Sequence, residues 1–285
     1  MKKNFLAAFA MGISASSLLW LGFGVGPVQA NEVEGENPLE GYACRCGVSR
    51  FSERFAFADG QTTSFCDIAW SFFVLRSGRE ITLIDTGFSD PALTKQWGLS
   101  KIRSPLDLLA ELGIAPSAVT RVILTHLHFD HVDDLVLFPC AKVIVSSRER
   151  EDYLQQKKLP AVVYKAAVAA ILSDEGRTHA VLEREQIDPK GTLEFEVVGG
   201  HTAGSSVVHL QRLGVHYVFT GDECYLFANQ KEQRPIGVTW NPKQNAAFIA
   251  RIADPAIVAL PSHEPEIYSR YPSLQPENAA IVRIF

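Results

Sequence analysis

Apolar residues fall along the chain in short blocks, and the blocks change period. "SFFVLRS" (71–77) and "EITLIDTG" (80–87) are rich in β-branched and aromatic residues, and Ser77-Gly78 supplies a turn between them; they read as two strands. "SPLDLLAELG" (104–113) reads as a helix: Ser104 is placed to cap it, Pro105 suits its first turn, and Gly113 ends it. "TRVILT" (120–125) is a buried strand and "KVIVS" (142–146) another. Residues 147–175 read as helices, with "LPAVVYKAAVAAIL" rich in alanine. Strand patterns resume in "TLEFEVVGG" (192–200), "SSVVHLQR" (205–212) and "HYVFTGD" (216–222). "NPKQNAAFIARI" (241–252) is a helix with Asn241 as cap and Pro242 in its first position, and "AIVALPSHEP" (256–265) is a last strand leading to a histidine. Strands first, then a helical block, then strands and helices mixed predict a layered α/β domain. No repeat interrupts this order, and Gly199-Gly200 lacks the third glycine of a dinucleotide fingerprint.

Ahead of these elements the pattern is different. "MKKNFLAAFAMGISASSLLWLGFGVGPVQA" opens on Lys2 and Lys3, continues as an apolar run from about Phe5 to Val25, and closes on the small-residue "VQA". That is the order of a secretory signal peptide cut after Ala30, and Pro27 with the Val28/Ala30 pair favours cleavage over a retained anchor. The expectation is a signal peptide over residues 1–30 and a single domain over residues 31–285, periplasmic or secreted. No stable membrane insertion is expected after cleavage, because no second apolar run approaches the ~20 residues of a span. Residues 31–41, polar and acidic, read as a loose leader, and "CRCG" with "FADGQTTSFC" (44–66) gives no usable pattern.

Composition changes the picture in two ways. An apolar fraction of 47% suits a packed core. Without Lys2 and Lys3 the chain carries 25 basic against 32 acidic residues and no basic cluster, which excludes an electrostatic pull toward nucleic acid. Five cysteines are too few for a disulfide scaffold; outside the cytosol Cys66 is a candidate partner for Cys44 or Cys46, and Cys140 reads as a small buried apolar residue.

The candidate chemistry sits in "THLHFDH" (125–131), which gathers three of the eight histidines. Side chains alternate along an extended segment, so His126 and His128 point the same way, while Asp130 and His131 face a neighbouring position as the chain turns. Two metals ~3.5–4 Å apart are a known hydrolytic device. The remaining ligands are expected at other strand ends, where His201, Asp222 and His263 stand. His126, His128 and His201 would hold one ion, Asp130, His131 and His263 the other, and Asp222 would bridge them. Nitrogen-rich ligation without thiolate suits two divalent ions, zinc first, with iron, manganese or cobalt as possible occupants. Burying three imidazoles and a carboxylate with no common partner is costly, which separates this cluster from His179, His209 and His216, read as ordinary core or surface residues.

"THLHFDH" resembles the T-H-x-H-x-D-H signature of the metallo-β-lactamase superfamily, and "LIDTG" (83–87), "GGHTAGSS" (199–206) and "FTGD" (219–222) match the rest of its pattern in the same order. The resemblance implies a four-layer αββα sandwich, an α/β fold in the broad α+β sense, with the metals at one edge and Asp85 supporting them from behind. His128 stands where flavodiiron oxygen reductases carry glutamate, and Asp222 occupies a bridging position that true metallo-β-lactamases leave without aspartate. Glyoxalase II enzymes add a C-terminal helical region, whereas only 63 residues follow Asp222 here. "GDECY" (221–225) and "VTWNP" (238–242) are similar to stretches of N-acyl homoserine lactone lactonases. The resemblance implies Asp222, Tyr225 and Asp130 as catalytic residues acting on a small-molecule lactone or ester. A thioester hydrolase or β-lactam hydrolase of the same superfamily and a non-enzymatic periplasmic metal-binding or sensor protein stay open as alternatives.

Overall fold

The computed structural model describes residues 37–275, 277 and 279–285; the expected signal peptide lies outside the described residues. Seven strands form one sheet: β1 (Glu40–Ser52), β2 (Phe65–Ser77), β3 (Glu80–Ile84), β4 (Arg121–Ile123), β5 (Lys142–Ser146), β6 (Thr178–Val181) and, last in sequence, β12 (Ile281–Arg283). Their spatial order is β12-β1-β2-β3-β4-β5-β6. The second sheet holds β7 (Arg184–Gln186), β8 (Leu193–Val197), β9 (Ser206–Arg212), β10 (Val215–Gly221) and β11 (Ile257–Pro261), in the order β11-β10-β9-β8-β7.

The period-two alternation of each strand divides its side chains between two cores. In β2, Phe73 and Leu75 point inward and meet Ile84, Ile123, Ile144, Phe195, Val208, Phe219 and Leu260 between the sheets. Their neighbours Phe72 and Val74 point outward and pack with Leu83, Val122 and Val143 against Leu108 and Leu109. Those leucines belong to the helix Pro105–Glu111, where the Ser104 hydroxyl accepts the Asp107 N–H and Pro105 occupies the first turn. The outer face of the second sheet packs Val207, Val218 and Ala259 against Phe248, Ile249 and Ile252 of the helix Pro242–Ile252. The result is the four-layer α/β/β/α sandwich that the motifs imply. Among the described residues no helix is long and apolar enough to cross a membrane.

Several expectations need correction. The unread region 44–66 supplies most of β1, a 13-residue strand paired along β2 and edged by β12, and the end of the supposed loose leader, Glu40 and Gly41, already belongs to it. The helices expected over 147–175 are present as two, Ser147–Leu154 and Ala166–Ser173. Between them Pro160 restricts Leu159, and Gln156 and Ala161 adopt left-handed φ of 50° and 55°, all incompatible with a continuous helix. All five cysteines are free thiols. Cys66 pairs across the ladder with Phe51 while Cys44 faces Phe72, six residues farther along β2. That spacing is about 20 Å, far beyond disulfide reach. Cys140, expected inside, lies exposed in the turn before β5, where no facing strand covers it.

Candidate metal centre

Each candidate ligand follows the end of a strand at one edge of the sandwich. β4 stops at Ile123, and the chain runs through Leu124 and Thr125 into the loop of His126 and His128; a single helical turn, Phe129–Val132, then turns Asp130 and His131 back toward it. Asp222 follows β10, His263 follows β11, and His201 lies in the loop between β8 and β9. Asp85, just past β3, sits at a φ of 62°, a left-handed conformation that costs energy for a residue with a Cβ.

The seven predicted ligands come together as two sets. His126, His128, His201 and Asp222 can present one ligand atom each within 4.8 Å of one another, and so can Asp130, His131 and His263. Asp222 faces both sets with different oxygens. Its Oδ2 lies 3.3 Å from His201 Nε2 and 3.7 Å from His126 Nε2, and its Oδ1 lies 3.1 Å from both His131 Nε2 and His263 Nε2. His128 joins the first set through Nδ1, 3.1 Å from His201 Nε2, and Asp130 Oδ2 joins the second, 3.1 Å from His131 Nε2 and 3.5 Å from His263 Nε2.

The remaining ring nitrogens are fixed from behind. His131 Nδ1 lies 2.7 Å from Asp85 Oδ2, His263 Nδ1 donates to the Ala69 carbonyl at 2.8 Å, and His201 Nδ1 donates to the Val238 carbonyl at 2.9 Å. His126 Nδ1 meets the Thr125 hydroxyl at 3.2 Å, and that hydroxyl donates to Asp85. These bonds set the tautomers and leave the other nitrogens as lone pairs pointing inward. There, His126 Nε2, His131 Nε2 and Asp222 Oδ1 are buried without a hydrogen-bond partner. Orphaned acceptors are costly, and a cation removes the cost. Ligands ~2.0–2.2 Å from an ion at tetrahedral angles stand about 3.3–3.6 Å apart, close to the spacings observed. The residues present therefore fit a pair of divalent cations.

In the cation-free protein, electrostatics sets the two ligand sets apart: the first-set rings are held neutral, whereas His131 holds a proton that a cation would have to displace. Burial and the neighbouring imidazoles push His126 well below the ordinary histidine range, and burial with His201 beside it takes His128 down to about 3. Both are neutral and free to donate lone pairs at pH 7. Burial works against charge on His131 as well, but Asp130, Asp85 and Asp222 outweigh it and hold that ring well above its usual value. Burial also opposes ionisation of Asp222, yet His263, His131, His126 and His201 keep it well below the carboxylate range.

Above the two sets opens a cavity of about 200 Å³. Its walls are largely aromatic, from Phe51, Phe55, Trp70, Trp97, Phe129 and Tyr225, and its lining includes His128, Asp130, His201, Asp222 and His263 but no lysine or arginine. Tyr225 is buried, its ring stacked on His263 at 5.1 Å between centroids and set edge-on to His201 at 5.9 Å. Burial, then the charge of Asp222, raises its phenol well above the normal range, so the hydroxyl keeps its proton and acts as a donor. Phe51, Phe55, Trp97 and the buried acids Glu149 and Glu223 are absent from the sequence expectation. Phe51 and Phe55 lie within the unread stretch, and the acids carry no motif signal.

A profile of the metallo-beta-lactamase superfamily matches residues 66–263. The chain belongs to that superfamily. A rat relative, "Metallo-beta-lactamase domain-containing protein 1" (Rattus norvegicus), is 31% identical over 140 residues, 42% of this chain and 54% of its own length, so the match spans about half of that relative. The Xenopus laevis protein of the same name is 27% identical over 269 residues, 89% of this chain and 91% of its own. Among solved structures, a quorum-quenching N-acyl homoserine lactone lactonase superposes with a TM-score of 0.66 at 17% identity, over 80% of this chain and 92% of that one. At that identity the likeness is one of superfamily fold; the substrate has to be argued from the site.

Proposed function

We propose that this chain is an exported, dinuclear metal-dependent hydrolase that opens a lactone or cleaves a carboxylic ester with an apolar acyl group, N-acyl homoserine lactones being the first substrates to assay. The observation that carries this reading is Asp222, which offers one oxygen to each ligand set at the floor of an aromatic-walled cavity. Imidazole and carboxylate donors without thiolate favour zinc over the softer alternatives, with iron, manganese and cobalt as substitutes. Two such ions, when bound, lower the pKa of water toward neutrality and polarise a carbonyl oxygen.

The protein's own residues supply the rest. Tyr225 lines the cavity with a protonated hydroxyl beside Asp222; donated to a substrate carbonyl oxygen, it would form a bond that strengthens as negative charge develops. Asp222 and Asp130 are ionised acceptors beside the same space; Asp222 would take the proton released by the attacking water and return it to the leaving alkoxide. Phe51, Phe55, Trp97 and Phe129 exclude water and hold an apolar chain. The lack of lysine and arginine in the lining disfavours phosphoryl substrates, which need cationic clamps, and suits a neutral carbonyl compound. Export is supported by the residue pattern of the first 30 positions.

The test is a panel of lactones, oxygen esters, thioesters and β-lactams with zinc-loaded protein made from the full chain and recovered from the periplasm, together with N-terminal sequencing. We expect an N-terminus at Asn31, lactone or ester turnover abolished by chelation, and recovery on adding zinc. Two bound ions with no turnover of any panel member would leave a binding protein and sink the hydrolase.

A further inference from the structure

Glu149 and Glu223 are almost fully buried, yet neither is placed in a ligand set. Glu149 lies in the helix Ser147–Leu154. Its Oε2 accepts the Leu127 N–H at 3.0 Å, between His126 and His128, and its Oε1 accepts the Thr202 hydroxyl at 2.6 Å and the Gly204 N–H at 3.1 Å, just past His201. Glu223 follows Asp222. Its Oε1 accepts the N–H groups of Gly200 at 2.8 Å and His201 at 2.9 Å and the Ser205 hydroxyl, and its Oε2 accepts the Asn245 amide at 2.9 Å. Asn245 is oriented in turn by the Ile236 N–H and the Glu223 carbonyl.

All these partners donate, so both places ask for acceptor oxygens, which a carboxylate supplies on both arms. The glycines of the 199–206 loop fit around them. A Cβ on Gly200 would stand 2.3 Å from Glu223 Oε2, and one on Gly204 would stand 2.8 Å from the Glu149 backbone nitrogen. The loops being tied are those of His126, His128 and His201. The second set is held by other means: Asp85 behind His131 and the Ala69 carbonyl behind His263.

We propose that Glu149 and Glu223 are positioning residues dedicated to the first cation, assembling the His126–His128–His201 loops through the hydrogen bonds they accept. The inference rests on the two-cation reading of the site. Neither acid touches a reacting atom; both act through loop geometry.

The test is zinc titration of the full chain's mature product and its Glu149→Gln and Glu223→Gln variants by competition with a chromophoric chelator. Cobalt(II) absorption, which differs between nitrogen-rich and oxygen-rich surroundings, reports which place fills. Wild type should take up two ions. Each variant should bind the first-set ion about 10- to 100-fold more weakly, with the second-set ion within about twofold of wild type and the cobalt spectrum left with its oxygen-rich component. Ser205→Ala and Thr202→Val, which keep the carboxylates and remove one donor each, should shift the same ion in the same direction by less. They carry the test if a glutamine variant does not fold, as judged by near-ultraviolet circular dichroism of the cation-free protein. Equal weakening of both ions, or no change in either, would overturn the assignment. A wild type that takes up fewer than two ions would instead overturn the two-cation reading beneath it.

Discussion

His131 and Asp85 lie 2.7 Å apart, and His179 and Glu185 lie 2.9 Å apart. The first pair is 1% and 0% exposed, behind the cluster at one edge of the sandwich; the second is 56% and 46% exposed, between the neighbouring strands β6 and β7. The residue types and the distance are nearly the same, and only the surroundings differ. In water the outer pair exchanges with solvent and carries little energy. In the interior, the inner pair fixes a tautomer and aims the far nitrogen at a shared point. Proximity of histidine to carboxylate therefore identifies no site by itself; burial with several lone pairs converging on one volume does.

The strongest way to break this comparison is to remove the point of convergence. Asp222→Ala should bring lactone and ester hydrolysis to background and drop bound metal to about one ion per chain or fewer, measured by metal analysis after dialysis. Retention of two tightly held ions would show that the carboxylate does not join the sets. Tyr225→Phe should lower turnover about 100-fold with metal content unchanged, if the hydroxyl stabilises developing charge. An unaltered rate would remove the tyrosine from the chemistry.

A third, smaller effect tests burial without partnership. Asp134 Oδ1 accepts the Ser89 hydroxyl at 3.1 Å, but its Oδ2 is buried and unpaired, and burial raises its pKa to about 6. A carboxyl with a raised folded-state pKa favours the protonated form. Its contribution is most favourable below the unfolded value near 4 and is lost as pH rises through about 6. Asp134→Asn should therefore stabilise the protein by about 1–3 kcal/mol at pH 7.5 and by almost nothing at pH 4, in denaturant titrations at the two pH values. The smallest effect belongs to the exposed pair. His179→Ala should change stability by less than about 0.5 kcal/mol and metal content not at all. A measurable loss of metal would erase the distinction between the two regions.

Much of the fold was legible because strand ends and ligands coincide. "TRVILT" into "THLHFDH", "YVFTG" into Asp222 and "IVALPS" into His263 each join a buried run to a group that needs a partner. Glu149 was illegible for the opposite reason. It stands in "SREREDYL", where charge reads as a solvated helical face, and nothing local announces that Leu127, Thr202 and Gly204 will surround it. Glu223 hides in the same way beside a motif residue. The cavity wall was hidden too, since Phe51 and Trp97 meet Tyr225 and Phe129 only once the chain has folded, 6.1 Å and 5.5 Å between ring centroids. Contacts between distant segments leave no periodic trace in one sequence.

Phe51, Phe55, Trp97, Pro160 and Ala161 line the cavity from stretches that contribute no ligand. The apparatus that would hold the cations and the mould that admits a molecule are thus written on separate parts of the polypeptide. Changes in the mould can alter which molecules the cavity admits while the ligand sets stay intact, so diversification of this scaffold has an open route that leaves its metal centre untouched.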